Sequence, residues 1–210
     1  MSNPTHSSQN DAIKVSFDGN ICAHAGICFG ELHSVFDGDA NPPINLEGAS
    51  TEEVIRVVTK CPSSALTYER LDGVTNEQAA TTNSATIIPN GPVALRGQLK
   101  LGDKEYTRLT LCRCGQSQNK PYCDGSHKQV SFDDLQLIDS EALGDLPSDG
   151  VVTLKPVSNG PVLFNGLVTV NKIDGNVLCQ REKGALCRCG ASKNKPFCDG
   201  SHKAAGFQAD

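Results

Sequence analysis

Alternation of apolar and polar positions is clearest at Ile13-Lys14-Val15-Ser16-Phe17, where every second residue is apolar, and this period of two predicts a strand. The period changes further on. After Ser50-Thr51-Glu52-Glu53, the apolar residues Val54, Ile55, Val57 and Val58 fall on one helical face. Ser50 or Thr51 stands where an N-cap belongs and acids fill the first turn, so a capped helix is predicted that ends at Cys61-Pro62. Ala65-Leu66-Thr67-Tyr68 returns as a strand, and Cys22 to Gly30, rich in Ala and Gly, reads as a loop. Past residue 85 the pattern is of short apolar runs between Gly and Pro, as in Pro92–Gly97 and Pro161–Gly166. The alternating run Tyr106–Leu111 leads straight into a pair of cysteines. These predict small β-sheets that carry loops.

Internal repetition organises the rest. Residues 112–128, CRCGQSQNKPYCDGSHK, recur as 187–203, CRCGASKNKPFCDGSHK, with 14 of 17 positions identical. Phe132 and Phe207 each follow five residues after their His, and Asn90-Gly91-Pro92 is echoed by Asn159-Gly160-Pro161. The outer echo is offset by 69 residues and the motif by 75, so the second copy carries six extra residues ahead of its motif. The expected organisation is a disordered tail at 1–12, an α+β domain at 13–72, a linker at 73–85, and two small β-rich domains at 86–137 and 138–210.

Composition narrows the function classes. Only 38% of the 210 residues are hydrophobic and 5% aromatic, with no Trp, so one large apolar core is not expected. A formal charge of -5 with no basic stripe argues against nucleic acid as partner. No run approaches the ~20 apolar residues of a membrane span. Met1 to Asn10 has neither a basic region nor an apolar one, so no secretory signal is expected and the chain reads as cytoplasmic. In that reducing setting, ten cysteines read as metal ligands before disulfides.

Each repeat offers three thiols and one imidazole in the spacing C-x-C-x8-C-x3-H: Cys112, Cys114, Cys123 and His127, then Cys187, Cys189, Cys198 and His202. Thiols one residue apart face one metal only across an extended or tight turn, for which Gly115 and Gly190 supply freedom. The Cys-Asp-Gly-Ser-His segment reads as a helix start that stacks Cys123 over His127. On ligand types alone, zinc and an iron–sulfur cluster both fit. Arg113 and Arg188, between the paired thiols, either lie against thiolate charge or point to water. Cys179 reads as a small buried hydrophobe, and His6 and His33 as solvent-facing. No nucleophile–base pair, paired carboxylates or phosphate loop appears, so no enzyme is expected.

The pattern C-x-C-x2-S-x3-P-x-C-D-G-S-H, present twice without departure, resembles the signature of the CDGSH iron–sulfur, or NEET, family over residues ~86–137 and ~150–210. The resemblance implies a [2Fe-2S] cluster on each set of three Cys and one His. It also implies that the twin motifs pair as an intramolecular pseudo-dimer, leaving the chain monomeric with an internal two-fold. The likeness is to the family's soluble tandem branch rather than to its membrane-anchored dimers. Exchanging one thiolate for a neutral imidazole raises the potential of such a cluster. It also exposes the cluster to protons near the imidazole pKa of ~6.5, so lability below about pH 6 is expected.

Cys22, Cys28 and Cys61, the last followed by Pro62, resemble the divergent single-cluster ferredoxins over ~13–70, with a C-x-H-x3-C loop and a later Cys-Pro-Ser-x-Ala-Leu segment. A ferredoxin-like fold is implied there. Ala25 fills the middle position of the usual C-x2-C-x2-C run. Three thiolates hold a [3Fe-4S] cluster outright, which is the reading favoured, with [4Fe-4S] as the alternative and His24 as its possible fourth ligand. Electron transfer to a redox partner is the expected role. Storage and donation of clusters to an apo-acceptor protein is the second reading, and a zinc-stapled interaction module the third.

Overall fold

The computed structural model describes residues 5–133 and 150–209. It is mixed α and β, mostly strands with few helices, and divides after Gln78 into two compact units.

The first unit holds β1 (Thr5–Gln9), β2 (Ile13–Asp18), the short helix α1 (Ile27–Glu31), α2 (Thr51–Val58) and β3 (Leu66–Arg70). Its antiparallel sheet runs β1-β2-β3. The alternation at 13–17 works as predicted, with Ile13 and Val15 buried against Val54, Val57 and Val58 of α2 and against Phe36, Ile44 and Leu46. Ser50 is the cap. Its hydroxyl accepts from the Glu53 amide at 3.4 Å while the Glu53 carboxylate accepts from the Ser50 amide at 3.1 Å, which closes a capping box.

Two expectations change here. Thr5–Gln9 is a paired strand rather than part of a disordered tail; Thr5 stands opposite Asp18 and Gln9 opposite Lys14. Its sequence has no apolar alternation because the strand lies at an exposed sheet edge, where only backbone pairing is required. The loop at 22–30 also winds into α1 from Ile27.

The second unit contains β4 (Ser84–Ile87), β5 (Val93–Leu101), β6 (Lys104–Leu111), β7 (Val152–Pro156), β8 (Val162–Lys172) and β9 (Val177–Leu186). Each repeat supplies three of these: β4, β5 and β6 correspond to β7, β8 and β9. β4 runs antiparallel to β5 of its own repeat and parallel to β8 of the other, while β7 runs antiparallel to β8 and parallel to β5. The edge of β5 is thus shared, its residues 93–96 by β4 and 99–101 by β7, with a register break between Arg96 and Leu99. β8 does the same in reverse, with a break between Asn165 and Val168. Apolar residues of both repeats, among them Leu95, Leu99, Leu109, Phe164, Val168 and Leu186, form one core, in which Cys179 is fully buried.

The repeats therefore share one sheet and one core instead of forming separate domains, and β4 begins inside the segment expected as linker. The anticipated boundary at 137/138 lies outside the described residues. The six extra residues lengthen the β8–β9 hairpin. β8 and β9 run 11 and 10 residues where β5 and β6 run 9 and 8, and the turn between them is longer too.

Candidate metal centres

β6 delivers Cys112 at its end, and the chain returns alongside it. Cys112 N donates to Pro121 O at 2.9 Å and Cys123 N to Thr110 O at 3.0 Å, so the first and third thiols of the motif leave adjacent backbones. The intervening loop is tied by its own polar residues. Ser117 Oγ donates to Tyr122 O at 2.7 Å and accepts from Asn119 N at 3.0 Å, and Lys120 Nζ donates to Ser117 O at 2.6 Å. The Asp124 carboxylate accepts from Gln118 N at 2.7 Å and from the amide and hydroxyl of Ser126 at 3.0 and 2.6 Å. Each polar residue of the motif thus satisfies backbone that the turns leave unpaired.

The second copy repeats the scaffold. Cys187 N meets Pro196 O at 2.8 Å, Ser192 Oγ meets Phe197 O at 2.6 Å, and the Asp199 carboxylate accepts from the amides of Lys193 and Ser201, both at 2.9 Å. The helix expected at Cys-Asp-Gly-Ser-His is only a single 3-10 turn at Ser126–Lys128 and plain turns after Ser201. That turn still brings His127 Nδ1 to 3.4 Å from Cys123 Sγ and His202 Nδ1 to 3.3 Å from Cys198 Sγ.

The paired thiols stand 3.8 Å apart at Cys112/Cys114 and 3.7 Å at Cys187/Cys189. Two sulfurs bound to one tetrahedral ion lie about 3.8 Å apart, and a sulfur and an imidazole nitrogen about 3.6 Å. Each pair therefore has the span of one edge of a metal tetrahedron. Among the described residues, no three Cys, His, Asp or Glu side chains converge on the position of a single ion. The donors come two and two.

Within each thiol pair one group donates to the other, so one thiol of each pair is pushed up and its partner down. Burial pushes Cys123 up to about 11, so full ionisation of the set requires bound positive charge. Backbone amides already point at the sulfurs: Gln116 N to Cys114 Sγ and Gly125 N to Cys123 Sγ, both at 3.4 Å, matched by Ala191 N and Gly200 N in the second copy.

Gly115 and Gly190, at φ +78° and +79°, do more than turn the chain. A Cβ on Gly190 would stand 2.6 Å from the Cys114 carbonyl oxygen, and one on Gly115 would overlap that of Cys189. The two ligand loops touch backbone to backbone. Phe132 and Phe207 add a second reciprocal contact, since each ring lies under the Arg of its own motif (Arg113 at 5.6 Å, Arg188 at 5.5 Å) and the Lys of the other (Lys195 at 5.9 Å, Lys120 at 5.7 Å).

Arg113 and Arg188 do not point to water; both are 1% exposed. Arg113 donates to Gly91 O at 2.8 Å and Ile88 O at 2.7 Å, and Arg188 to Gly160 O at 2.9 Å and Val157 O at 2.7 Å. The repeated Asn-Gly-Pro turn is what these guanidinium groups hold.

In the first unit, Cys22 and Cys28 flank the loop that enters α1, and Cys61 follows α2. All three thiols line a cavity of about 200 Å³ with His24 and Phe17. Burial pushes the Cys28 thiol up, and the nearby charges of Cys61 and Cys22 push it further. Leu66 N lies 3.4 Å from Cys61 Sγ. Three thiols in one hollow, with few other polar donors, suit a bound inorganic group of positive charge. His6 is exposed, as expected, and also borders an adjoining hollow with Cys22, Cys28 and His24, its ring stacked on Phe17. His33 is exposed.

Protein-family models agree with this division. The divergent 4Fe-4S mono-cluster family matches residues 8–71, and the iron-binding zinc finger of CDGSH type matches twice, at 90–128 and 159–203. No significant match was found among curated proteins or solved structures. The fold and sites thus define an iron–sulfur protein. In particular, the chain is of the tandem CDGSH type, with a divergent 4Fe-4S mono-cluster domain ahead of its two CDGSH domains. No helix among the described residues is long and apolar enough to cross a membrane.

Proposed function

We propose that the chain is a three-centre electron carrier. One [2Fe-2S] cluster is held by Cys112, Cys114, Cys123 and His127, a second by Cys187, Cys189, Cys198 and His202, and a third, larger cluster by Cys22, Cys28 and Cys61. The pairing of donors carries the reading: Cys112 lies with Cys114 and Cys123 with His127, and a binuclear centre takes one such pair at each iron. For the third cluster we adopt [4Fe-4S] in place of the [3Fe-4S] preference, because the matching family is described by a 4Fe-4S cluster.

When bound, such clusters store and pass single electrons. The chain's own contribution is to hold them and set their electrostatics. A neutral imidazole in place of a thiolate removes one negative charge, and amides aimed at the sulfurs stabilise the reduced form; both raise the potential. Reciprocal strand pairing and mutual loop contact support a pseudo-dimer folded within the second unit, so its two CDGSH centres keep a fixed spacing. The partner is a redox protein, and no substrate chemistry is assigned.

Iron, acid-labile sulfide and zinc measured on anaerobically purified protein test the reading. Equal iron and sulfide with a reversible visible bleach on reduction is expected. A colourless zinc protein without sulfide would overturn it. Cluster donation is the second reading, favoured by the partial exposure of His127 and His202, through which a centre can open. Transfer of both CDGSH clusters to an apo-ferredoxin faster than the chain exchanges electrons would establish donation instead.

A further inference from the structure

We infer that His24 is the fourth protein ligand of the N-terminal cluster. The inference rests on the proposal that Cys22, Cys28 and Cys61 hold a four-iron cluster, and names the group that completes it.

A four-iron cluster presents one open position on each iron, and three cysteines leave one unfilled. Ala25 occupies the place of the missing thiol and cannot fill it. His24, its neighbour, lines the cavity that contains all three cysteines, and among the described residues it is the one imidazole that does so. His6 is a weaker candidate, because it borders only the adjoining cavity, away from Cys61, and its ring is already stacked on Phe17 with centroids 6.3 Å apart.

Backbone conformation supplies an independent observation. His24 has φ +50°, in the left-handed region, although glycine is available next door but one at Gly26. A side chain there costs of order 1 kcal/mol, and such strain persists where the surroundings require a particular residue at that point. An imidazole is also chemically suitable. As a neutral ligand it donates a nitrogen lone pair without first losing a proton, so no net charge is added beside three thiolates.

The test compares wild type with His24→Ala and His24→Cys, all as full-length chains purified anaerobically, by iron and sulfide analysis and low-temperature EPR. His24→Ala is expected to lose one iron per chain with sulfide unchanged, because a three-iron cluster keeps all four sulfides. Its oxidised form should then show the paramagnetic signal of a three-iron cluster that wild type lacks. His24→Cys should restore the iron. Unchanged iron in His24→Ala overturns the assignment. Loss of all the N-terminal iron and sulfide in both variants would also overturn it, by assigning His24 a structural role, whereas loss in the alanine variant alone supports it. Wild-type protein that contains only the sulfide of two binuclear clusters would instead refute the underlying reading of the first unit.

Discussion

A buried arginine between two metal-ligating cysteines has a narrow role in this chain. Arg113 gives its hydrogen bonds to the carbonyls of Gly91 and Ile88, so Arg113→Ala takes this donor from the buried Gly91 carbonyl and leaves a void, while Ile88 O keeps the Gly91 amide at 3.0 Å. A buried acceptor that loses its partner costs about 1–3 kcal/mol, and with the void a loss near 3 kcal/mol in the second unit is expected by denaturant titration. Arg113→Lys should recover only part of it, since a single ammonium cannot span both carbonyls in the same plane. The imidazole ligands make a different residue-scale prediction. Burial holds His127 below its ordinary pKa, with Lys128 adding to the effect, so protons compete for its nitrogen only at a pH below the ordinary imidazole range. His127→Cys should therefore retain its cluster at acid pH while wild type bleaches, in a stopped-flow absorbance trace. The ligand set itself was legible in the sequence, because a doubled 17-residue motif leaves few other readings. The fate of Arg113 was not, since a charged residue next to thiols gives no sign of which partner it takes.

At the scale of elements, caps and loop ties decide local stability. Ser50 closes α2 from both directions, and Ser50→Ala is expected to cost the first unit about 1 kcal/mol, read as a shift in its thermal midpoint. The ligand loop before His202 depends on Asp199, which the Ser201 hydroxyl and the amides of Lys193 and Ser201 hold well below the usual carboxylate range. A carboxylate lowered in the folded state stabilises it fully above the unfolded pKa, about 3.9, and less as pH falls beyond that. Asp199→Asn should thus reduce stability at neutral pH and flatten its decline in acid, as followed by near-UV circular dichroism. Strands with clear alternation, β2 and β6, were foreseeable. β1 was not, because Thr5–Gln9 is an exposed edge strand with no buried apolar side chain, so its sequence carries no periodic signal. β4 is hidden for a different reason: Ala85 and Ile87 do alternate into the core, but four residues with a small Ala as one of the two apolar positions give too short a periodic signal.

For the molecule as a whole, shared strands make the second unit one cooperative body. Leu99 belongs to the first repeat, but its neighbourhood on β5 is where β7 of the second repeat pairs. Leu99→Ala, at about 2–5 kcal/mol for a buried leucine, should therefore promote loss of both CDGSH clusters together. Release of only the first cluster, seen in the visible spectrum and iron count, would show the repeats to be independent. Duplication was evident from the sequence, yet the exchange of edges between copies was not. It depends on contacts between residues far apart in the chain, such as Leu99 with Val152 and Ala85 with Val170, which no local pattern encodes.

The glycine that turns each ligand loop is pressed against the other loop's carbonyl. Ordinarily, gene duplicates are released from common constraint and one is free to drift. Here, a side chain acquired at position 190 would intrude on the socket built around Cys114, and the reverse holds at 115. Divergence between the halves is therefore confined to positions away from this seam, such as the tip of the longer β8–β9 hairpin, where a new partner surface can be added at no cost to either socket.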